Sequence, residues 1–167
     1  ATKLDFKVKV LDDRQEFLNP ALFPNCELIY DTFDHILDYK EDNCYHVIIT
    51  RGHKSDSACL RLLLGTNYEY LGMVGSKGKV KTTFETLLQE GYTQEQIDTV
   101  HSPIGLPIKA RTPAEIAVSI FAEIIQEKNE KHESFLPLDI LHDNEPGVLC
   151  IIIEKQGSGP RGRGSMM

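Results

Sequence analysis

The densest run of chemistry-bearing side chains is Thr50-Arg51-Gly52-His53-Lys54-Ser55-Asp56. Arg51, His53 and Lys54 offer positive charge to an anion, and Gly52 lets backbone approach a ligand closely. Ser55 or Asp56 is suited to cap a helix starting there, and amides at a helix start favour a phosphate or carboxylate. A second run, Gly72-Met73-Val74-Gly75-Ser76-Lys77-Gly78-Lys79, has the same character, with glycines, a Ser at a helix start and then lysines. Its spacing is not GxxxxGK[ST], so it is no Walker loop. A third run is Asp12-Asp13-Arg14. An acid just after a strand is where a dinucleotide fold bonds a ribose hydroxyl, although Asp equally favours a plain turn. His101-Ser102-Pro103 again precedes a helix, and a single His there reads first as structural. No Ser-His-Asp series, HExxH motif or paired catalytic carboxylate accompanies these runs, so the chemistry on offer is binding rather than bond breaking.

The elements that must position these runs follow from periodicity. Lys7 to Leu11 alternates polar and apolar and ends in an acidic turn, which predicts a strand. Cys26–Tyr30, Tyr45–Thr50 and Tyr70–Val74 are further apolar, β-branched or aromatic runs, and a short strand is expected near Thr99-Val100. Ala1 to Phe6 reads as the end of a helix. Helical spacing appears at Phe33, Ile36 and Leu37; at Cys59, Leu60, Leu63 and Leu64, stopped by Gly65; and at Val80, Phe84, Leu87 and Leu88, stopped by Gly91. Thr93 with Gln96, and Thr112 with Glu115 around Pro113, are spaced as capping boxes. Ile116, Ile120, Phe121, Ile124 and Ile125 then line one helical face. Strands alternating with helices predict a parallel α/β sheet. In such a sheet ligands bind at the carboxyl ends of the strands, which is where all three polar runs fall.

The chain has 167 residues, enough for one domain and a short appendage. Residues 1–130 are read as the α/β domain, 131–147 as a polar linker, and 148–167 as a strand with a Gly-rich basic turn from a second domain. The net charge of −7 argues against a general binder of nucleic acid or acidic membrane. The longest apolar run, Val148 to Ile153, is six residues, far short of a spanning helix. Cys26, Cys44, Cys59 and Cys150 show no CxxC spacing, and no metal site is argued from ligand pairs. Buried, reduced thiols of a cytoplasmic protein are expected. Cys59, on the helix that starts at the His53 loop, also raises the question of a sulfur-handling role. Only eleven residues precede Asp12, so a glycine fingerprint about 20 residues ahead of it does not fit within the chain.

Taken in order, LDDRQEFLNPALFP, VIITRGHKSD, YLGMVGSKGKV and HSPIGLPIKARTPAEIAVSIFAEII resemble the Rossmann-like domain of the xanthine dehydrogenase accessory family (XdhC/CoxI), over about Val8 to Gln126. The resemblance implies a Rossmann-like three-layer parallel sheet without its first strand and glycine turn. It implies an accessory factor that binds molybdenum cofactor (molybdopterin). Such a factor assists sulfuration of the cofactor and its insertion into a xanthine dehydrogenase-type molybdenum hydroxylase. The hydroxylase, a cysteine desulfurase and a second copy in a homodimer are the implied partners. The matched loops give Asp12, Asp13, Thr50, Arg51, Gly52, His53, Gly72, Gly75, Ser76 and Lys77 as pocket candidates. The tail GSGPRGRGSMM resembles the GSxPRxxGxxM stretch of the family's other domain and adds Arg161. Two alternatives stand beside this one. One is an NAD(P)-dependent oxidoreductase, suggested by Asp12 after a strand. The other is a nucleotide-binding scaffold module.

Overall fold

The computed structural model describes residues 1–4 and 6–131. The expected linker from residue 132 on, and the 148–167 strand with Arg161 and Cys150, lie outside the described residues. Among the described residues five strands form, all in parallel pairs. β1 (Val8–Asp12) pairs with β2 (Cys26–Tyr30), from Val8 opposite Cys26 to Asp12 opposite Tyr30. β3 (Cys44–Ile48), β4 (Tyr68–Met73) and β5 (Val100–His101) make a second sheet in the order β3-β4-β5.

Helices supply the crossovers that parallel pairing demands. α1 (His53–Leu63) joins β3 to β4, while α2 (Lys77–Gln89) and α3 (Gln94–Asp98) join β4 to β5. α4 (Pro113–Lys131) follows. Within residues 1–124 the three-layer arrangement shows in β4, whose successive side chains point to opposite faces. Leu71 and Met73 enter a cluster with Cys59, Leu60, Leu63, Leu87 and Ile97. Tyr70 enters a second cluster with Ile120 and Ile124 of α4. Gly72 faces Ile104, where a Cβ would collide with that side chain and with the Tyr70 ring. No described helix is long and apolar enough to cross a membrane.

Both capping boxes form. The Thr93 hydroxyl accepts from Gln96 N while the Gln96 side chain accepts from Thr93 N. Thr112 and Glu115 exchange the same pair of bonds, at 3.2 and 3.0 Å. Two helix expectations are corrected. Phe33–Asp38 is a six-residue 3-10 helix. Its cap residue Thr32 makes no side-chain cap bond, and a segment this short gains little from α-helical propagation. Among the described residues of the stretch from Ala1 to Phe6 there is a three-residue 3-10 turn, Thr2–Leu4, in place of an α-helix end. Gly65 is not a left-handed stop, whereas Gly91 is, with φ of 98°.

Candidate functional site

The carboxyl ends of β1 and β3 open onto one cleft of about 210 Å³, lined by Asp12, Asp13, Arg14, Thr50, Arg51 and Gly52 among others. The two acids differ in how they are held. Asp12 accepts from Arg14 N at 3.0 Å and from the Arg14 guanidinium at 2.9 and 3.0 Å, a forked pair that engages both oxygens. Arg14 also lies 3.8 Å over the Phe17 ring, which fixes it further. Asp13 is looser, 3.7 Å from Arg14 Nε and 3.3 Å from Arg51 Nη2. The Arg51 side chain is 64% exposed and that of Asp13 37%. This pair therefore spans the cleft from β1 to β3, with an acceptor for hydroxyl or amine hydrogens on one side and a cation for an anion on the other.

Thr50 is held from behind. Its amide and hydroxyl both donate to Asp56 Oδ1, at 3.0 and 2.6 Å. Asp56 is 2% exposed, and its other oxygen accepts from Lys79 Nζ at 2.6 Å. Asp56 thus does not cap α1, as its position in the sequence suggested. The cap position is Gly52, whose carbonyl accepts from Asp56 N at 3.1 Å. A Cβ at Gly52 would meet nothing within 4 Å, so there is open space around this residue at the start of α1, beside the cleft it lines. His53 is the first residue of α1, and its side chain lies outside what the structure describes.

The second polar run lines a different place. Ser76 caps α2 by accepting from Lys79 N at 3.4 Å. With Gly78 and Lys79 it borders a groove of about 690 Å³ between α1 and α2, which Lys54, Ser57 and Arg61 also line. Gly75 packs against Val80 and Lys79, and Lys77 is exposed. Neither Gly72 nor Gly75 lines the cleft, and each has a packing partner. Asp56 and Lys79, which tie cleft to groove, were not singled out as site residues. The readable signal was a Thr at a strand end with an Asp six residues on, inside the first helical turns.

Cys59 is 2% exposed. Burial first, and the nearby Asp56 charge second, push its thiol up to about 11, so it stays protonated and fills core space. Cys26 and Cys44 are only half-buried, contrary to the expectation of buried thiols. His101 stacks on Tyr70 with centroids 4.5 Å apart and lies 3.8 Å from Glu123. Glu123 also accepts from the Tyr70 hydroxyl at 2.5 Å and from Gly105 N at 2.8 Å. This cluster joins β4, β5 and α4 and stands among packed elements.

The XdhC Rossmann domain family matches residues 1–124. YqeB of Escherichia coli K12, an uncharacterized protein, is 34% identical over 134 residues, which is 77% of this chain and 24% of that one. A probable xanthine dehydrogenase subunit of Bacillus subtilis 168 is 31% identical over 129 residues, 75% of this chain and 37% of that one. A crystal structure of a xanthine dehydrogenase from Bacillus halodurans superposes with a TM-score of 0.67 at 29% identity, covering 81% of this chain and 39% of that one. The chain thus spans about a quarter to two-fifths of the length of these relatives. A parallel three-layer scaffold carries the polar runs at its strand ends, and the family match covers all of that scaffold but the end of α4. The chain belongs to the XdhC Rossmann domain family.

Proposed function

We propose that this chain is the ligand-holding domain of a cytoplasmic accessory factor. The factor binds molybdenum cofactor, assists its sulfuration, and delivers it to a xanthine dehydrogenase-type molybdenum hydroxylase. A cysteine desulfurase is the sulfur-donating partner in this reading. One observation carries it: the Asp13–Arg51 pair spans the cleft at the strand ends, where Gly52 and Ser55 at the start of α1 also line it. The cofactor is cargo here, and its organic part suits these groups. Asp13 accepts from the ring amines of a pterin. Arg51 and the α1 amides suit a phosphate, with the guanidinium able to donate two parallel bonds.

Equilibrium dialysis of the full chain against molybdopterin, with NAD in competition, tests the proposal. Retention of the pterin over NAD is expected. Arg51→Gln should weaken retention about tenfold, the order of a charge-assisted hydrogen bond. The same variant should change stability by less than about 1 kcal/mol, because the ion pair is exposed. Retention of NAD in place of the pterin would move the reading to an oxidoreductase. Binding of neither would leave the cleft without a role.

A further inference from the structure

The groove between α1 and α2 carries donors that the fold does not use. Lys54, Ser57 and Arg61 lie at i, i+3 and i+7 on α1, while Lys79, Thr83 and Thr86 lie at i, i+4 and i+7 on α2, so each helix gives the groove one stripe. The two helices follow the neighbouring parallel strands β3 and β4, and both therefore start at the carboxyl ends of those strands. Peptide dipoles favour negative charge at that end of the groove. Among the described residues no acidic side chain lines it.

The decisive side chain is Thr83. It sits between Val80 and Leu87 on the buried face of α2 and is 8% exposed. Nearby on the same helix, Thr82 Oγ1 donates to the Gly78 carbonyl at 3.2 Å and Thr86 Oγ1 to the Thr82 carbonyl at 2.9 Å. Thr83 makes no such bond back along the helix, and its hydroxyl has no partner among the described residues. Every described side-chain nitrogen or oxygen that is closed off from solvent does have a partner. The Thr83 hydroxyl is therefore not closed off, and it opens into the groove that Thr83 lines. A Val of the same shape would serve packing there; the hydroxyl adds a hydrogen bond to what enters the groove.

The cations divide in the same way. Lys79 Nζ is bonded to Asp56 at 2.6 Å, and Arg61 forks onto the Glu90 carboxylate at 2.6 and 2.7 Å. Lys54 is exposed and has no ion pair with a described residue, and Ser57, one turn on, has no side-chain hydrogen bond with one. One ammonium and two hydroxyls are thus left to donate, a set that suits an anion with several oxygens, a phosphoryl group. The Thr82 and Thr86 hydroxyls have committed their hydrogens to backbone carbonyls, so toward a ligand they can only accept. Acceptors beside a phosphate site suit the hydroxyls of a sugar. At about 690 Å³ the groove has the size of a small-molecule site.

We propose that this groove is a second binding site, for a sugar phosphate, separate from the cleft. Lys54 Nζ, Ser57 Oγ and Thr83 Oγ1 donate to the phosphoryl oxygens, while Thr82 and Thr86 accept from hydroxyls of the sugar. Titration of the full chain with ribose 5-phosphate at pH 7, followed residue by residue in nitrogen–proton NMR spectra, tests it. Saturable shifts are expected at the amides of residues 54–61 and 76–86, and ribose should give none. Inorganic phosphate should bind about tenfold more weakly, because it lacks the sugar contacts. Lys54→Gln and Thr83→Val should each weaken ribose 5-phosphate about tenfold, the order of a hydrogen bond to a charged group, while Thr83→Ser keeps the wild-type affinity. The proposal is overturned if no saturable shifts appear, or if they are confined to the cleft at residues 12–14 and 50–52. Equal affinity for inorganic phosphate overturns it as well. So does undiminished binding by Lys54→Gln, a variant at an exposed position that serves whether or not Thr83→Val folds. Failure at the groove leaves the cleft reading as it was, since that reading rests on Asp13 and Arg51.

Discussion

Three donors converge on the Asp56 carboxylate, the amide and hydroxyl of Thr50 and the ammonium of Lys79, while the residue itself is 2% exposed. Removing it leaves Lys79 with its charge in a largely buried setting. Asp56→Ala is therefore expected to cost about 3 kcal/mol, the scale for stripping one partner from a buried pair. A urea unfolding midpoint measures this, and a loss under about 1 kcal/mol would mean that Lys79 finds water easily. A second residue-scale prediction concerns pH. Asp31 accepts from the Tyr39 hydroxyl, Thr32 N and the His35 ring. The Tyr39 bond, ahead of the other two, holds Asp31 below its ordinary value, and the bond to Asp31 raises His35 above 6.5. Stability from His35 is thus complete below 6.5 and lost as pH rises through its raised value. Stability from Asp31 is complete above 3.8 and lost as pH falls through its lowered value. Burial, and then the Lys40 ammonium, hold His46 below the ordinary histidine value. A proton NMR titration should find His35 above and His46 below the ordinary histidine value, and Asp31→Asn should bring His35 back down while leaving His46 where it was.

At the scale of elements, the loop before α4 depends on Gly105. Its φ is 95°, and a Cβ there would collide with Ser119 Oγ. Around it Leu106 N donates to Ser119 O at 3.2 Å, and Ser119 Oγ donates to Leu106 O at 2.7 Å. Gly91 has nearly the same φ, 98°, but open space around it. Gly105→Ala should accordingly cost about 3 kcal/mol and Gly91→Ala about 1, a difference that isolates the collision from the backbone term. Equal losses in thermal unfolding would show that α4 shifts to make room. Helix ends were legible in the sequence because capping is local: Thr93 with Gln96, and Thr112 with Glu115, need only their own turn. The 3-10 helix at Phe33–Asp38 was not, because its spacing looks α-helical while Asp31, outside the pattern, takes the surrounding donors. The slip in the pairing of β3 with β4, between Cys44 and Tyr45, also escaped, since strand pairing is set by distant residues, here Tyr68 and Tyr70.

For the whole molecule, the sequence located the strand ends that line the cleft, because parallel strands must all present their carboxyl ends on one side. It did not separate the candidates into two places. Asp12, Asp13, Thr50, Arg51 and Gly52 share the cleft, whereas Ser76 borders the groove between α1 and α2. That division depends on Asp56 and Lys79 lying between them, 23 residues apart in the chain. The net charge of −7 is likewise a poor guide to the groove, which gathers Lys54, Arg61 and Lys79 on two helix faces.

Among the described residues β1 has one ladder neighbour and so does β3, whereas β4 is flanked by β3 and β5. A strand bonded on one side sends every second amide to its partner. Deuterium uptake along β1 and β3 should therefore rise and fall with a period of two residues. Leu71 and Gly72 of β4, paired on both sides, should both exchange slowly. The fast-exchanging amides of that alternation mark, residue by residue, the unpaired edge of each strand.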